Sequence, residues 1–506
     1  MTQTQSKFTV VSLFSGAGGF DWGFHRTGRF ETRIACELLP NPAATLAQNL
    51  GLKLIKPAEL AEAIARCEKV AIQGDVAEVN FSQFNIQPDV LIGGPPCQDF
   101  SITIAKKAEP RPGLNGGRGK LYVEFVRAVM FLQPKMFVFE NVPGLLSANE
   151  GQAIITISND LQNLEANRQE AIAANQPLTV PDQPICNYKI IFQSVINGPD
   201  IGVPQTRRRL IIMGLRCDLY DSLTDDEQRS MLDAVQTDVS GKASLFSRFP
   251  LTCLEIFEGL PLTYLQTKYS AVMQEYTELA HHSDLPLAKQ WRENVWDRLK
   301  IEDIRHDYFL ANGIEDSPTN REDYEVAMQE HWRILNDLGW LGIAVDTLQT
   351  VDGTNMPSRL TNAVIERMNM IPPDENYAFV DNTQWSVSGH DISFIYRRAA
   401  PLKPAWTVMA YGGGGTYGYH YERERSQLTL RERARIQTFS DEFQFQEKGV
   451  RAQIGEAVPP LLAQRIAESI INIFNLVDAG ASQETVDDAE PSFRAHNNGG
   501  SQPFVV

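Results

Sequence analysis

Phe8-Thr9-Val10-Val11-Ser12-Leu13-Phe14 runs straight into Ser15-Gly16-Ala17-Gly18-Gly19-Phe20. The first half has the length and β-branched content of a buried strand, and the glycines end it before a helix predicted from Asp21. Glycines there let a ligand approach the backbone, and a helix start offers free N–H groups. The spacing is G-x-G-G and not the G-x-G-x-x-G of dinucleotide sites, which discounts NAD. Such a turn alone is more often structural than functional.

Working outward, Thr32-Arg33-Ile34-Ala35-Cys36 predicts a second strand. It ends at Glu37, about 20 residues beyond the glycines, where a ribose hydroxyl needs an acceptor. Val70-Ala71-Ile72-Gln73-Gly74-Asp75-Val76 predicts a third, with Asp75 placed to bond an adenine amino group. Asp89-Val90-Leu91-Ile92 predicts a fourth, stopped by Gly93-Gly94-Pro95-Pro96 and followed at once by Cys97. The prolines pre-set that turn, and a thiol at the carboxyl end of a strand is placed to act as thiolate. The alternative is a buried structural cysteine. Lys135-Met136-Phe137-Val138-Phe139 predicts a further strand ending in Glu140-Asn141. Desolvation at a strand mouth would raise the Glu140 pKa and suit a general acid, the alternative being a capping or surface acid. Alternation of strands with helices predicts an α/β, doubly wound parallel sheet with its site on the carboxyl edge. Strands at 188–195 and 210–214 flank Gln205-Thr206-Arg207-Arg208-Arg209, where the arginines at 207 and 209 project to one face that suits a carbonyl oxygen or phosphates.

The 506 residues are 43% apolar and 22% charged, a globular composition with room for more than one domain. Against 63 acids stand 46 bases, and the resulting charge of −17 argues against a surface that binds nucleic acid throughout. Local patches therefore have to decide. The candidates are residues 207–209, Arg397-Arg398, the segment 422–435 with five arginines against three glutamates, and Lys106, Lys107, Arg111, Arg118 and Lys120. A basic cleft on an acidic body steers a phosphate backbone, although each cluster singly also reads as solvated charge. Cysteines at 36, 67, 97, 186, 217 and 253 form no C-x-x-C pair, so neither a disulfide framework nor a metal site is expected. No apolar run reaches the roughly eighteen residues of a membrane span, and the polar start from Met1 lacks a secretory segment. The expectation is a cytoplasmic protein. Residues 113–120 read as a basic glycine loop suited to a lid, 121–132 as an amphipathic helix, and 151–184 as exposed helix and linker.

Taken in order, these blocks resemble the DNA (cytosine-5) methyltransferases. The turn at 14–19, Glu37, Asp75, Pro95-Pro96-Cys97-Gln98, Glu140-Asn141-Val142 and Gln205-x-Arg207-x-Arg209 follow that family's sequence of motifs. Leu428-Thr429-Leu430-Arg431-Glu432-Arg433-Ala434-Arg435-Ile436-Gln437-Thr438-Phe439 and Gln453-Ile454-Gly455-Glu456-Ala457-Val458-Pro459-Pro460 look like its last two. Two positions depart: Asp99 stands where glycine is usual, and Glu456 where asparagine is usual. That asparagine organises the cofactor pocket in the family, and a carboxylate donates no hydrogen bond unless protonated.

The resemblance implies a Rossmann-like S-adenosylmethionine-dependent methyltransferase sheet with a second, smaller target-recognition domain forming a DNA cleft. Residues 1–215 and 401–478 would be catalytic, 216–400 the reader, and 479–506 a disordered tail. Methyl transfer to carbon 5 of a flipped cytosine in a specific sequence would pass through a covalent Cys97 intermediate, with Glu140, Asn141, Arg207 and Arg209 assisting. S-adenosylmethionine, leaving as S-adenosylhomocysteine, would be held by Phe14, Gly16, Ala17, Gly18, Gly19, Glu37, Leu38, Asp75, Val76, Pro96, Leu121, Glu456, Ala457 and Val458. Double-stranded DNA is the implied partner, with a cognate restriction endonuclease beside it, for a monomer at the bacterial nucleoid. Trp291, Trp296, Trp332, Trp340 and Trp385 are expected to build the reader's small core. Tyr396-Arg397-Arg398, Gly412-Gly413-Gly414-Gly415 and Tyr417-Gly418-Tyr419-His420-Tyr421 read equally as a groove-tracking arm or a connecting loop. A tRNA methyltransferase with the same motifs is the nearest rival, disfavoured by the length of 216–400. A catalytically silent DNA-binding protein is another, against which Cys97, Glu140 and Arg209 count.

Overall fold

The computed structural model describes residues 6–96, 121–173, 180–242, 244–387, 395–411, 418–425, 427–446 and 448–487, with backbone alone from 480. Cys97, Gln98, Asp99, the loop at 113–120 and residues 412–417 lie outside the described residues.

Strands β1 (Phe8–Leu13), β2 (Phe30–Glu37), β3 (Lys53–Ile55), β4 (Val70–Gln73), β5 (Val90–Gly93), β6 (Met136–Asn141), β7 (Tyr188–Asn197) and β8 (Arg208–Arg216) form one sheet. Its order is β3-β4-β2-β1-β5-β6-β8-β7. The first six strands pair in parallel, while β8 runs antiparallel to both β6 and β7. The expected all-parallel sheet is therefore corrected at one edge. The link from β7 to β8 holds no crossover helix, and a short link can only return the chain antiparallel. The edge strand β3 went unforeseen because three residues carry no readable period.

Alternate residues of the same strands feed opposite faces. Val10, Val90, Ile92, Val138 and Ile211 enter one core, and Val11, Leu91, Phe137 and Ile212 the other. Helix α1 (Gly19–Arg26), the helix Asp225–Ser240 and the closing helix Pro460–Asp487 cover the first face through Phe24, Val235 and Ile466, and α2 (Pro40–Leu50) packs Leu46 with Ala35 and Ala71. On the second face, α3 (Leu60–Ala65), α4 (Leu121–Leu132) and α5 (Gln152–Gln162) contribute Leu60, Phe125 and Ile157. This is the doubly wound arrangement expected, with α4 at the expected bounds. The closing helix overruns the tail expected from residue 479 as far as Asp487. Ala, Gln and Glu are good helix formers, and extending a helix costs far less than nucleating one.

Among the described residues no named strand follows β8, and the interval 216–400 is built of helices and loops. Its Leu223, Phe246, Leu254, Tyr308 and Trp340 join the core of the sheet, while Tyr276, Leu279, Trp291 and Phe379 form a small core of their own. Trp332 departs from the expected pattern and is 45% exposed.

Two basic clusters turn inward. Arg398 is fully buried and donates to the carbonyls of Met368, Ile371, His420 and Glu422. Arg431 bonds Asp352, Thr354 and the carbonyls of Ser440 and Phe443, and Arg435 pairs with Asp441 and bonds the carbonyls of Ile256 and Ile343. These side chains bind the interval to the end of the chain and line no basic groove. The planar guanidinium, with five donors, is suited to satisfying several carbonyls where segments cross. Tyr419, His420 and Tyr421 are buried as well, so the described part of that aromatic segment is core and neither arm nor loose loop. No helix among the described residues is long and apolar enough to cross a membrane.

Candidate active site

The carboxyl edge between β1, β2 and β4 builds the first half of the site. After β1 the chain turns through left-handed residues, with φ of 55° at Phe14, 55° at Gly16 and 91° at Gly18. The Ser15 N–H donates to the Cys36 carbonyl at 3.1 Å, the Gly16 N–H to Glu37 Oε2 at 2.9 Å, and the Leu39 N–H to Glu37 Oε1 at 2.8 Å. Burial pushes the Glu37 carboxyl up, the N–H groups of Leu39 and Gly16 oppose it, and the Glu456 carboxylate adds to the rise. A Cβ on Gly16 would meet nothing within 4 Å, whereas one on Gly19 would lie 2.5 Å from the Val458 carbonyl oxygen. The turn is thus open on one side and closed on the other by Ala457 and Val458, with Ala17 and Gly18 buried between. Leu38 is 57% exposed at the rim; Asp75 is exposed and accepts the Ala77 N–H at 2.9 Å; Val76 is buried; Leu121 begins α4. An ionised carboxylate has more acceptor positions than Glu37 uses here, so it can still take a diol. An open glycine, an acid at a strand end and an apolar rim fit a nucleoside cofactor.

The second half lies at the mouths of β5 and β6. Glu140 is buried, and Arg209 Nε reaches its Oε1 at 2.8 Å. Burial pushes this carboxyl up, while Arg209 and then Arg207 pull it down. A Cβ on Gly94 would lie 2.6 Å from Glu140 Oε2, so a side chain there would push the acid aside. Asn141 donates from Nδ2 to the Pro95 carbonyl at 3.0 Å and accepts the Val142 N–H at 2.8 Å. The acid and the turn leading to exposed Pro96 are therefore held together by one side chain. Arg209 arrives here because β8 is antiparallel, which brings its first residues to the edge where β6 ends.

Arg207 makes no such pair with the acid. It is buried, donates to the carbonyls of Gly455 and Ala457 at 3.0 and 3.1 Å, and is pushed down to about 9 by burial. The two arginines read as a pair in sequence thus divide, Arg209 facing the acid and Arg207 anchoring the segment that closes on Gly19. Gln205 joins them, bonding the Ile436 carbonyl at 2.9 Å.

Residues 8–472 match the family model of the C-5 cytosine-specific DNA methylases. The chain belongs to this family. The methylase is similar to the DNA (cytosine-5-)-methyltransferase M.ApeKI of Aeropyrum pernix, 45% identical over 477 residues, covering 93% of this chain and all of the relative. The type II methyltransferase M.NgoFVII of Neisseria gonorrhoeae is 28% identical over 478 residues, covering 94% of this chain and 89% of the relative. A crystal structure of an E. coli prophage-encoded DNA modification methyltransferase shares the fold at 20% identity, with a TM-score of 0.50, over 93% of this chain and all of the other. The methylase acts as a DNA (cytosine-5)-methyltransferase, placing methyl groups on carbon 5 of cytosine in DNA.

Three residues of the candidate site have no individual role in the sequence reading, Gly94 entering it only as part of the turn that stops its strand. Asp21 is fully buried, accepts from Ser12 Oγ at 2.9 Å and Thr32 Oγ1 at 3.1 Å, and is pushed up to about 6 by burial against those bonds. A lone acid in a buried first helical turn was the available signal. Gly94 carried no signal apart from its place beside Gly93. Tyr411, whose phenol donates to Glu456, carried none, because the pair is 45 residues apart.

Proposed function

We propose that the methylase transfers a methyl group from S-adenosylmethionine to a cytosine flipped out of double-stranded DNA at a specific sequence, through a covalent bond to Cys97. The observation that carries this reading is the buried Glu140–Arg209 pair resting on Gly94 and Pro95, just ahead of the cysteine. A base inside the stack is out of reach, which is why extrusion is required. The Cys97 thiolate adds to carbon 6, forming a sulfur–carbon bond and making carbon 5 an enamine nucleophile. Glu140, whose carboxyl burial pushes up against the pull of Arg209, gives its proton to ring N3. Arg209 carries the charge developing at O2, Asn141 orders the turn, and Arg207 positions the strand from behind. S-adenosylmethionine, when bound, supplies an electrophilic methyl group. Phe14, Gly16, Ala17, Gly18, Gly19, Glu37, Leu38, Asp75, Val76, Pro96, Leu121, Glu456, Ala457 and Val458 would hold it. Loss of the carbon 5 proton to solvent, expulsion of the thiolate and return of the N3 proton to Glu140 restore an aromatic ring.

Residues 1–215 and 401–478 would form the catalytic part, and 216–400 the sequence reader, for which the small core around Trp291 gives support. The proposal extends to a cognate restriction endonuclease acting at the same site, in keeping with the type II names of relatives, and to a monomeric, cytoplasmic methylase at the nucleoid. The test uses duplex DNA with 5-fluorocytosine at the target. Fluorine cannot leave, so the wild type is expected to form a stable covalent complex and Cys97→Ala none. Methyl transfer by Cys97→Ala at the wild-type rate would remove this mechanism, and equal labelling of tRNA would remove the DNA assignment.

A further inference from the structure

A cavity of about 200 Å³ lies where the core of the sheet meets the small core of the 216–400 interval. Tyr269 and Met273, on the helix Gln266–Gln274, and Leu402 belong to the first core, whereas Trp291, on the helix Ala288–Asn294, belongs to the second. All four are buried, so the floor is apolar and aromatic. Asn294 and Arg298 are exposed at the rim, where the cavity opens to solvent. None of the lining residues belongs to the candidate active site. An engineered apolar cavity of about 150 Å³ holds benzene, so the space here suits one aromatic ring with a short arm.

Three acidic residues line this space, and two are already committed. Asp307 accepts from the Tyr269 hydroxyl at 2.8 Å and from the Lys300 N–H at 2.7 Å. Asp374 takes Arg397 on one oxygen at 3.1 Å and Lys403 on the other at 2.8 Å. Glu375 is the third. Its side chain is half-buried and has no hydrogen-bond or ion-pair partner among the described residues. Its backbone is fixed, because the N–H of fully buried Arg398 donates to its carbonyl at 3.0 Å. Burial and the neighbouring Asp374 charge push the Glu375 carboxyl up, against the pull of Arg397 and Lys403. The Lys403 amine is taken by Asp374, and Arg298 reaches back to the Asn294 carbonyl at 3.5 Å, so neither cation of the lining pairs with Glu375.

We infer that this cavity binds an organic ammonium with an aromatic body, its ring against Trp291 and Tyr269 and its charge at Glu375. A cationic donor supplies the partner that the half-buried carboxyl lacks, and electron-rich ring faces attract an ammonium. A neutral molecule of the same shape gains the apolar contact alone, and an anion is repelled by the acids. Because the walls come from both cores, the bound ligand adds contacts between the helix carrying Trp291 and the returning chain at 400–403.

Titration of the full chain with 2-phenylethylamine, 2-phenylethanol and 3-phenylpropanoate measures the preference, by calorimetry and by melting temperature. The amine is expected to saturate one site and raise the melting temperature, the alcohol to bind about tenfold or more weakly, and the propanoate not to bind. Glu375→Gln keeps the size of the side chain and should bring the amine down to the affinity of the alcohol, leaving the alcohol unchanged. Ala400→Leu fills the cavity and should abolish both; if that variant does not fold, the Glu375→Gln comparison decides alone. An acidic surface would hold the amine at many sites and equally well in both variants. Amine binding undiminished in Glu375→Gln, equal affinity of the wild type for amine and alcohol, or no saturable binding of the amine would each overturn the inference.

Discussion

Glu140 owes its chemistry to two opposing influences on one carboxyl. Burial raises its pKa, and the guanidinium of Arg209 at 2.8 Å, helped by Arg207, lowers it. Burial wins, so the group keeps its proton at a pH where an exposed glutamate has lost it. The single-turnover rate is therefore expected to fall as pH rises through this raised value. Arg209→Gln removes a lowering influence and should move that fall to higher pH while slowing the reaction. Glu140→Gln keeps the size of the side chain but has no proton to transfer. Single-turnover methylation should then be slower by about 10²–10⁴-fold, with the alkaline fall flattened. Glu140 and Asn141 were legible because they end an apolar strand. The division of labour between Arg207 and Arg209 was not, since alternation says that two side chains share a face and is silent on which one a distant segment covers.

At the scale of elements, α1 shows how a buried polar group organises a turn. Asp21 links β1 through Ser12 and β2 through Thr32 beneath the glycines. Its rise from the ordinary 3.8 to about 6 corresponds to about 3 kcal/mol between the two protonation states. The folded state holds this proton more tightly than the unfolded chain. The stability it contributes is therefore fully present below the ordinary value and is lost as pH rises through about 6. Asp21→Asn stays neutral, accepting from one hydroxyl and donating to the other. Its melting temperature relative to wild type should climb as pH passes from about 4 to above 6, and a constant difference would show that Asp21 does not titrate in this range. Strand β8 teaches a second lesson at this scale. Its residues were recognised as a strand, but its antiparallel direction followed from the short link to β7 and from pairing with β6.

In the whole molecule, the first and last segments of the methylase form one body. Gly23 of α1 meets the closing helix so closely that a Cβ would stand 2.3 Å from the Pro460 carbonyl oxygen and 2.4 Å from the Ala463 Cβ. Gly23→Ala should therefore destabilise the fold by about 1–3 kcal/mol, because backbone on both sides has to move. It should also weaken binding of S-adenosylmethionine, since Ala457 and Val458, just ahead of Pro460, pack on Gly19 of the same helix. Thermal melting reads the first effect and calorimetry the second. Limited proteolysis should cut the variant faster near residue 457 than the wild type. The buried arginines at 398, 431 and 435 belong to this scale too, because they join the 216–400 interval to the end of the chain, Arg398 through the carbonyls of His420 and Glu422, Arg431 through the side chains of Asp352 and Thr354, and Arg435 through the carbonyls of Ile256 and Ile343.

The sequence by itself determined the reaction family and the alternation of strands and helices. It also determined the acids at the strand ends, because each rests on a short run of residues whose period, turn chemistry and side-chain type act locally. Only the tertiary structure decided which arginines are buried, that β8 reverses direction, that Arg207 anchors while Arg209 faces the acid, and that Tyr411 holds Glu456 beside Glu37. The physical reason is that burial and electrostatic partnership depend on separation in space. Residues hundreds of positions apart in the chain can share one carbonyl or one charge, and no local pattern records it.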